Sequence, residues 1–187
     1  MVEHRRRAVG DLRRRAPRPT PYLHGAPRLP FLFISVHSPS KGLTEDEALL
    51  VEALSGVPAW VDTIVVHPDT ISDPRLYRRL GRRLAIENMD RRKQAGHTAE
   101  DLEAVFAELP EARLCLDFAH AKDVDPTLAV AADLLQRFAS RLSHVHLSSL
   151  DEARHHITLT DEDQLLFRPF LDRCRDVPWI LEARPPW

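Results

Sequence analysis

The sequence predicts an α/β protein, with parallel βαβ units curled into a (β/α) barrel. Two observations predict it. Six short apolar runs recur along the chain with helix-length segments between them, and that alternation means parallel strands joined by right-handed crossovers. Each run also ends in, or lies beside, a residue that can bind metal or move a proton. An open sheet spreads its strand ends along a line, whereas a barrel gathers them on one face. Six chemically able ends share a purpose only in a barrel.

The runs span 31–37 (FLFISVH), 61–67 (VDTIVVH), 84–88 (LAIEN), 114–117 (LCLD), 142–147 (LSHVHL) and 179–182 (WILE). Each is short, rich in β-branched or aromatic residues and bounded by polar or turn residues, the pattern of buried strands. Thr44-Glu45-Asp46-Glu47 reads as a capping box before EALLVEAL. Asp73-Pro74 puts proline in the first turn of a short helix through Leu80. Thr98 to Asp101 opens DLEAVFAEL in a similar way. Asp125-Pro126 opens a longer helix over 127–140, with Leu128, Ala131, Leu135 and Phe138 on one stripe. Thr160 to Asp163 opens a last helix ending near Cys174. Pro110 and Pro178 stand just before strands.

At 187 residues, the length fits one domain. No run of ~20 apolar residues exists, which excludes a membrane span. Cys115 and Cys174 are too few for a disulfide scaffold or a cysteine zinc cluster, and a reducing cytoplasm is the expected compartment. With six glycines and no GxGxxG or GxxxxGK[ST], a dinucleotide or P-loop site is demoted. None of the three lysines lies in a strand, against a Schiff-base aldolase. No GxSxG follows a strand, against a serine hydrolase. Residues 1–30 carry eight arginines against Glu3 and Asp11, a net of +6, while the rest of the chain is at −8. The expected organisation is a basic N-terminal arm or helix over 1–30 and a barrel over 31–187.

The strand ends arrive in a specific order: VHSP at 36–39, VVHPD at 65–69, AIEN at 85–88, LCLDFAH at 114–120, HVHLSS at 144–149, HHITL at 155–159 and WILEA at 179–183. This ordered set resembles the xylose isomerase-like TIM-barrel superfamily, which includes endonuclease IV and the sugar phosphate isomerases and epimerases. The resemblance covers roughly residues 30–184. It implies a metal site of Glu87, Asp117, His146 and Glu182, a donor mix suited to Mn, Zn, Co or Mg. It implies that His37 and His67 hold a second metal with Glu87, as in the endonuclease branch. His120 matches a third-metal ligand or a substrate contact, and His156 matches the histidine of an Asp-x-His pair, with His155 as the alternative register. His144 shares a strand face with His146 and is expected to pack within the barrel or to hydrogen-bond to His146. His4, His24 and His97 are expected at the surface.

The chain departs from the pattern in three ways. The Asp of the Asp-x-His pair falls on Arg154, or on Ala153 in the other register, leaving Asp151 or Glu152 to reach in. Six βα units of ~30 residues fill the chain, against eight strands and ~250 residues in a full barrel, so the motifs correspond to strands 2 to 7. The eighth βα loop, part of the usual phosphate corner, is missing from that count. Two sheet edges are then open, and a homo-oligomer is one way to cover them.

The first expectation is a metal-dependent isomerase or epimerase of a small sugar or related hydroxy-carbonyl compound. Glu87 and Glu182 would move a proton between neighbouring carbons, and His120 would orient a substrate hydroxyl. The alternative is an endonuclease IV-like phosphodiesterase acting on abasic DNA, with the arginine-rich arm touching nucleic acid. A third reading is a truncated, non-enzymatic barrel.

Overall fold

The computed structural model describes residues 31–39 and 46–183. The basic arm, with His4 and His24, lies outside them. The chain runs β1 (Ser35–His37), α1 (Glu47–Ser55), β2 (Thr63–Val66), α2 (Pro74–Tyr77), β3 (Leu84–Glu87), α3 (Ala99–Glu108), β4 (Arg113–Asp117), α4 (Phe118–Val124), α5 (Ala129–Phe138), β5 (Leu142–Leu147), β6 (Ser149–Leu150), β7 (His156–Ile157), α6 (Asp161–Leu171) and β8 (Trp179–Leu181). Six strands form one parallel sheet in the order β1-β2-β3-β4-β5-β8, and β6 and β7 form a separate antiparallel hairpin. The sheet curls into a half-barrel, the incomplete α/β barrel that the sequence predicts.

The pleat sorts the side chains. Ile64, Val66, Leu84, Ile86, Leu114 and Leu116 belong to the large buried core between sheet and helices. Val65, Ala85 and Cys115 alternate with them and form a small cluster of their own on the inner face. Two residues further along those same strands stand His67, Glu87 and Asp117.

Register brings these ends to one level. His37 pairs with Val65, Glu87 with Cys115, and His146 with Ile180. At each of these pairs the next strand carries its polar residue two positions further on: His67, Asp117 and Glu182. Asp117, by contrast, lies directly opposite His146. This stagger is the shear of a tilted barrel. It keeps the polar ends level although the strands slope.

The helices start where side chains cap them. Thr98 and Asp101 form the expected reciprocal capping box of α3. In α1 the cap is Asp46, whose carboxylate accepts from Leu49 N at 3.2 Å. That is two residues later than the expected box, whose Thr44 lies outside the described residues. The segment expected as one helix over 127–140 opens later: Leu128 takes a left-handed φ of 60° and α5 begins at Ala129. Its predicted stripe of Leu128, Ala131, Leu135 and Phe138 is buried. The helix of residues 74–80 is only Pro74–Tyr77, followed by a 3-10 segment over Arg78–Arg83 in which Gly81 has φ 53°. Two elements escaped the sequence reading. These are α4, launched directly from the end of β4, and the β6–β7 hairpin, whose strands are too short to show a period.

At the far edge Trp179 and Leu181 of β8 and Leu165 of α6 are exposed apolar side chains. Deep beneath that region Phe118 of α4 meets Phe167 of α6, ring centroids 5.3 Å apart, both fully buried. This contact docks α6 and fixes α4, which carries His120. Phe167→Ala should cost about 3–5 kcal/mol of unfolding free energy in urea titration. A loss below about 1 kcal/mol would mean that α6 is not packed as described.

Candidate metal centre

Glu87 is buried at the end of β3, and three imidazoles converge on it. Its Oε2 lies 3.1 Å from His37 Nε2 and 2.9 Å from His67 Nε2; its Oε1 lies 2.7 Å from His146 Nδ1. His146 Nδ1 is also 2.8 Å from Glu182 Oε1, and Glu182 Oε2 is 3.0 Å from His156 Nδ1. His156 Nε2 then meets His120 Nε2 at 3.2 Å. The structure thus brings every sequence-predicted site residue into one connected cluster.

Three groups within it place their ligand atoms within 4.8 Å of one another: His37–His67–Glu87, Glu87–Asp117–His146–Glu182, and Asp117–His120–His156. Glu87 belongs to the first two and Asp117 to the last two. A fourth group, Cys115–His144–His146, lies a layer deeper. Burial pushes the Cys115 thiol up to about 12, so it stays protonated at neutral pH and is a poor metal donor there.

The donor chemistry fits divalent cations. His37 Nδ1 donates to the Ser38 carbonyl at 2.7 Å, and His120 Nδ1 to the Asn88 carbonyl at 2.9 Å. Backbone anchoring of one ring nitrogen is how metal-binding histidines are usually oriented. It leaves the Nε2 of each facing the cluster. His37 Nε2 therefore meets the Glu87 carboxylate either with a second proton or across a cation. Asp117 gives the other sign: Oδ1 accepts from His120 N at 2.7 Å, while Oδ2 is buried with no hydrogen-bond partner among the described residues.

Electrostatics without a metal are correspondingly tense. Burial opposes the charge of Glu87, yet the hydrogen bonds of His146, His37 and His67 hold it well below the usual carboxylate range. Burial opposes the protonation of His146, but the hydrogen-bonded carboxylates of Glu182 and Glu87 raise it. His37 is raised by Glu87 against its own burial. Burial pushes His144 down to about 3, so it is neutral. At 3.2 Å its Nε2 can then accept the His146 Nε2–H, the hydrogen-bonded role expected of it. Burial pushes Asp117 up to about 7.

Asn88, Ser148 and Asp90 complete the support. Asn88 Nδ2 donates to Asp117 O at 2.9 Å, and Asp117 N donates to Asn88 Oδ1 at 2.7 Å, locking β3 to β4 at the ligand level. Ser148 Oγ lies 2.7 Å from His156 Nδ1, and Asp90 Oδ2 lies 3.7 Å from His120 Nε2. Asn88 sits within the AIEN motif and Ser148 within HVHLSS, but neither residue type signals a role unaided.

One alternative is decided and three expectations need adjusting. His156, not His155, faces the cluster; His155 is exposed, with its backbone N–H on Asp151 Oδ1 at 2.8 Å. Asp151 closes that hairpin turn, so it does not substitute for the carboxylate missing at 154. Glu152 is exposed. His97 is half-buried rather than at the surface, because Asp101 Oδ2 binds its backbone N–H at 2.8 Å and folds it onto the start of α3.

The cluster floors a cleft of about 650 Å³ whose walls include Met89, Asp90, Arg92, Lys93 and Arg154. Against models of protein families, and against curated proteins, the chain finds no match. Among solved structures it is similar to endonuclease IV from Thermus thermophilus, with a TM-score of 0.59 and 24% identity over 83% of this chain and 70% of that one. What the two share is the fold. The crystal structure of AsfvAP:AG superposes with a TM-score of 0.55 at 14% identity, covering 83% of this chain and 68% of that one. A looser superposition, TM-score 0.48 at 19% identity, covers 75% of this chain and 62% of 3-keto-D-glucoside 4-epimerase, YcjR, from E. coli.

The raised Asp117 gives a signed prediction for the metal-free chain. Its unfolded value is near 3.8 and its folded value about 7, so the folded state holds the extra proton between them. Its contribution to stability therefore falls as pH rises through that window. Asp117→Asn removes the titration. The variant should gain stability relative to wild type as pH rises from about 4 to about 7 in chelator-treated urea titrations. An unchanged difference would mean that Asp117 ionises normally.

Proposed function

We propose that this chain is a metal-dependent phosphoesterase, in the manner of an endonuclease IV-like phosphodiesterase, with abasic DNA as the first substrate to test. The observation that carries the reading is the sharing of Glu87 between the His37–His67 pair and the Asp117–His146–Glu182 set. A carboxylate shared by two ligand groups is what places two divalent ions side by side, as phosphoryl transfer uses them. A proton-moving isomerase can work with the Glu87–Asp117–His146–Glu182 group alone and has no need of His37 and His67.

The residues divide the work. Glu87 would be a ligand common to two cation sites, one completed by His37 and His67 and the other by Asp117, His146 and Glu182. His120 and His156, joined through their Nε2 atoms, would hold a third cation or meet the substrate directly. Ions bound there would supply a hydroxide nucleophile at neutral pH and neutralise charge on the phosphate. Asn88 keeps β3 and β4 in step so that Glu87 and Asp117 stay level. Mn, Zn, Co and Mg all suit this donor set, and Zn or Mn suits its imidazoles best. The exposed Leu165, Trp179 and Leu181 support association with a second copy along the β8 edge.

The sugar isomerase or epimerase reading keeps one observation on its side. Glu182 has 21% of its side chain exposed against 2% for Glu87, so one carboxylate does face the cleft as a base would. His37 and His67 separate the two readings, because the isomerase needs only the other four ligands. Zn- or Mn-loaded protein should nick a duplex carrying a single abasic site, and His37→Ala/His67→Ala should lose at least about 100-fold of that rate. Solvent deuterium appearing in a sugar of a test panel, undiminished in the double variant and with no nicking, would replace this reading by the isomerase. Asn88→Ala, a supporting change, should lower the nicking rate about 10–100-fold.

A further inference from the structure

The hairpin of β6 and β7 presents Arg154 at the mouth of the cleft in an uncommon way. Arg154 has φ 60°, a region that a non-glycine residue enters at a cost. The turn enforces it: Arg154 N donates to Asp151 O at 2.9 Å, and Asp151 N donates to His155 O at 3.0 Å. Such strain persists only where surrounding contacts over-determine it, and here they aim a guanidinium.

Arg154 Nε donates to Asp123 Oδ1 and Oδ2 at 2.9 and 3.1 Å. Asp123 Oδ2 also accepts from Arg91 N at 3.0 Å, so this one carboxylate ties the hairpin to the loop after β3. On that loop, Arg92 gives its Nε and Nη2 to Asp90. Arg92 and Arg154 line the same cleft as His120 and His156, and Arg92 lies close enough to feel the charges of Asp123 and Asp151. Each guanidinium is thus braced by a carboxylate, and among the described residues both Nη groups of Arg154 and Nη1 of Arg92 make no hydrogen bond, so they can take a ligand. Lys93, the third cation of the wall, is held by Asp69 Oδ2 at 2.7 Å.

We propose that Arg154 and Arg92 form a phosphate-binding subsite at the mouth of the metal-ligating cluster, holding a phosphate group of the substrate. A planar guanidinium binds phosphate through paired donors, and carboxylates that fix its orientation beforehand lower the cost of binding. The subsite needs no metal ion; only its assignment to a substrate rests on the phosphoesterase reading. It also gives position 154, where the superfamily resemblance places a carboxylate, a task that a carboxylate could not do.

The test is isothermal titration of the full chain as purified with inorganic phosphate, comparing wild type, Arg154→Gly, Arg154→Lys and Arg92→Ala. Glycine adopts a left-handed φ freely, so Arg154→Gly keeps the turn, and a cooperative thermal transition checks that the variant is folded. Phosphate affinity should drop at least about tenfold in Arg154→Gly, less in Arg154→Lys, which keeps the charge without the fork, and measurably in Arg92→Ala. Any phosphate held by metal alone is common to all four proteins and cancels in the comparison. Equal affinity in wild type and Arg154→Gly, or no saturable binding to wild type, overturns the subsite, even if the chain cleaves abasic DNA. Binding lost in Arg154→Gly supports it, even if the chain cleaves no phosphate ester.

Discussion

The Glu87 carboxylate is the point on which the rest of the structure turns. It lies at the end of β3 with 2% of its side chain exposed and accepts from His37, His67 and His146, which come from three other strand ends. Burying a carboxylate is expensive unless it is paired and hydrogen-bonded. Here the pairing is supplied by strand ends 20 to 59 residues apart in the chain, and only a curled parallel sheet with barrel shear can bring them to one level. Apolar residues at these positions would pack more cheaply. Six ionisable ends at one level therefore speak for chemistry rather than for stability.

Much of this was legible in the sequence because a strand has period two. Apolar runs with a polar residue at the C-terminal end mark both the strands and the residues that face inward, so Glu87, Asp117, His146 and Glu182 stand out in the sequence itself. What escaped was set by tertiary contacts. The helix α4 follows β4 with no linker, and its cap is Asp117 itself, so the sequence there reads as the tail of a strand. The β6–β7 hairpin has two residues per strand, too few for alternation to show, and its register decided between His155 and His156. Asn88 acts through paired hydrogen bonds to the backbone of the neighbouring strand, a role that no spacing encodes.

The wall of the cleft differs in character from its floor. The floor is a set of interlocked imidazoles and carboxylates. The wall carries Arg92, Lys93 and Arg154, each braced by an aspartate. These pairs balance each cation of the wall against a carboxylate and fix its position. That arrangement suits recognition of a particular anionic group better than general attraction to polyanions, which accords with a chain at −8 outside residues 1–30.

Native mass spectrometry of the intact chain titrated with Zn or Mn addresses the central claim most directly, beside the Glu87→Gln variant. Two or more ions bound per wild-type chain, with at least one lost when the shared carboxylate is changed, is the predicted result. A chain that binds no ion, or a single ion unaffected by Glu87→Gln, would contradict the account, because the ligand groups joined through Glu87 would then not be acting as one centre.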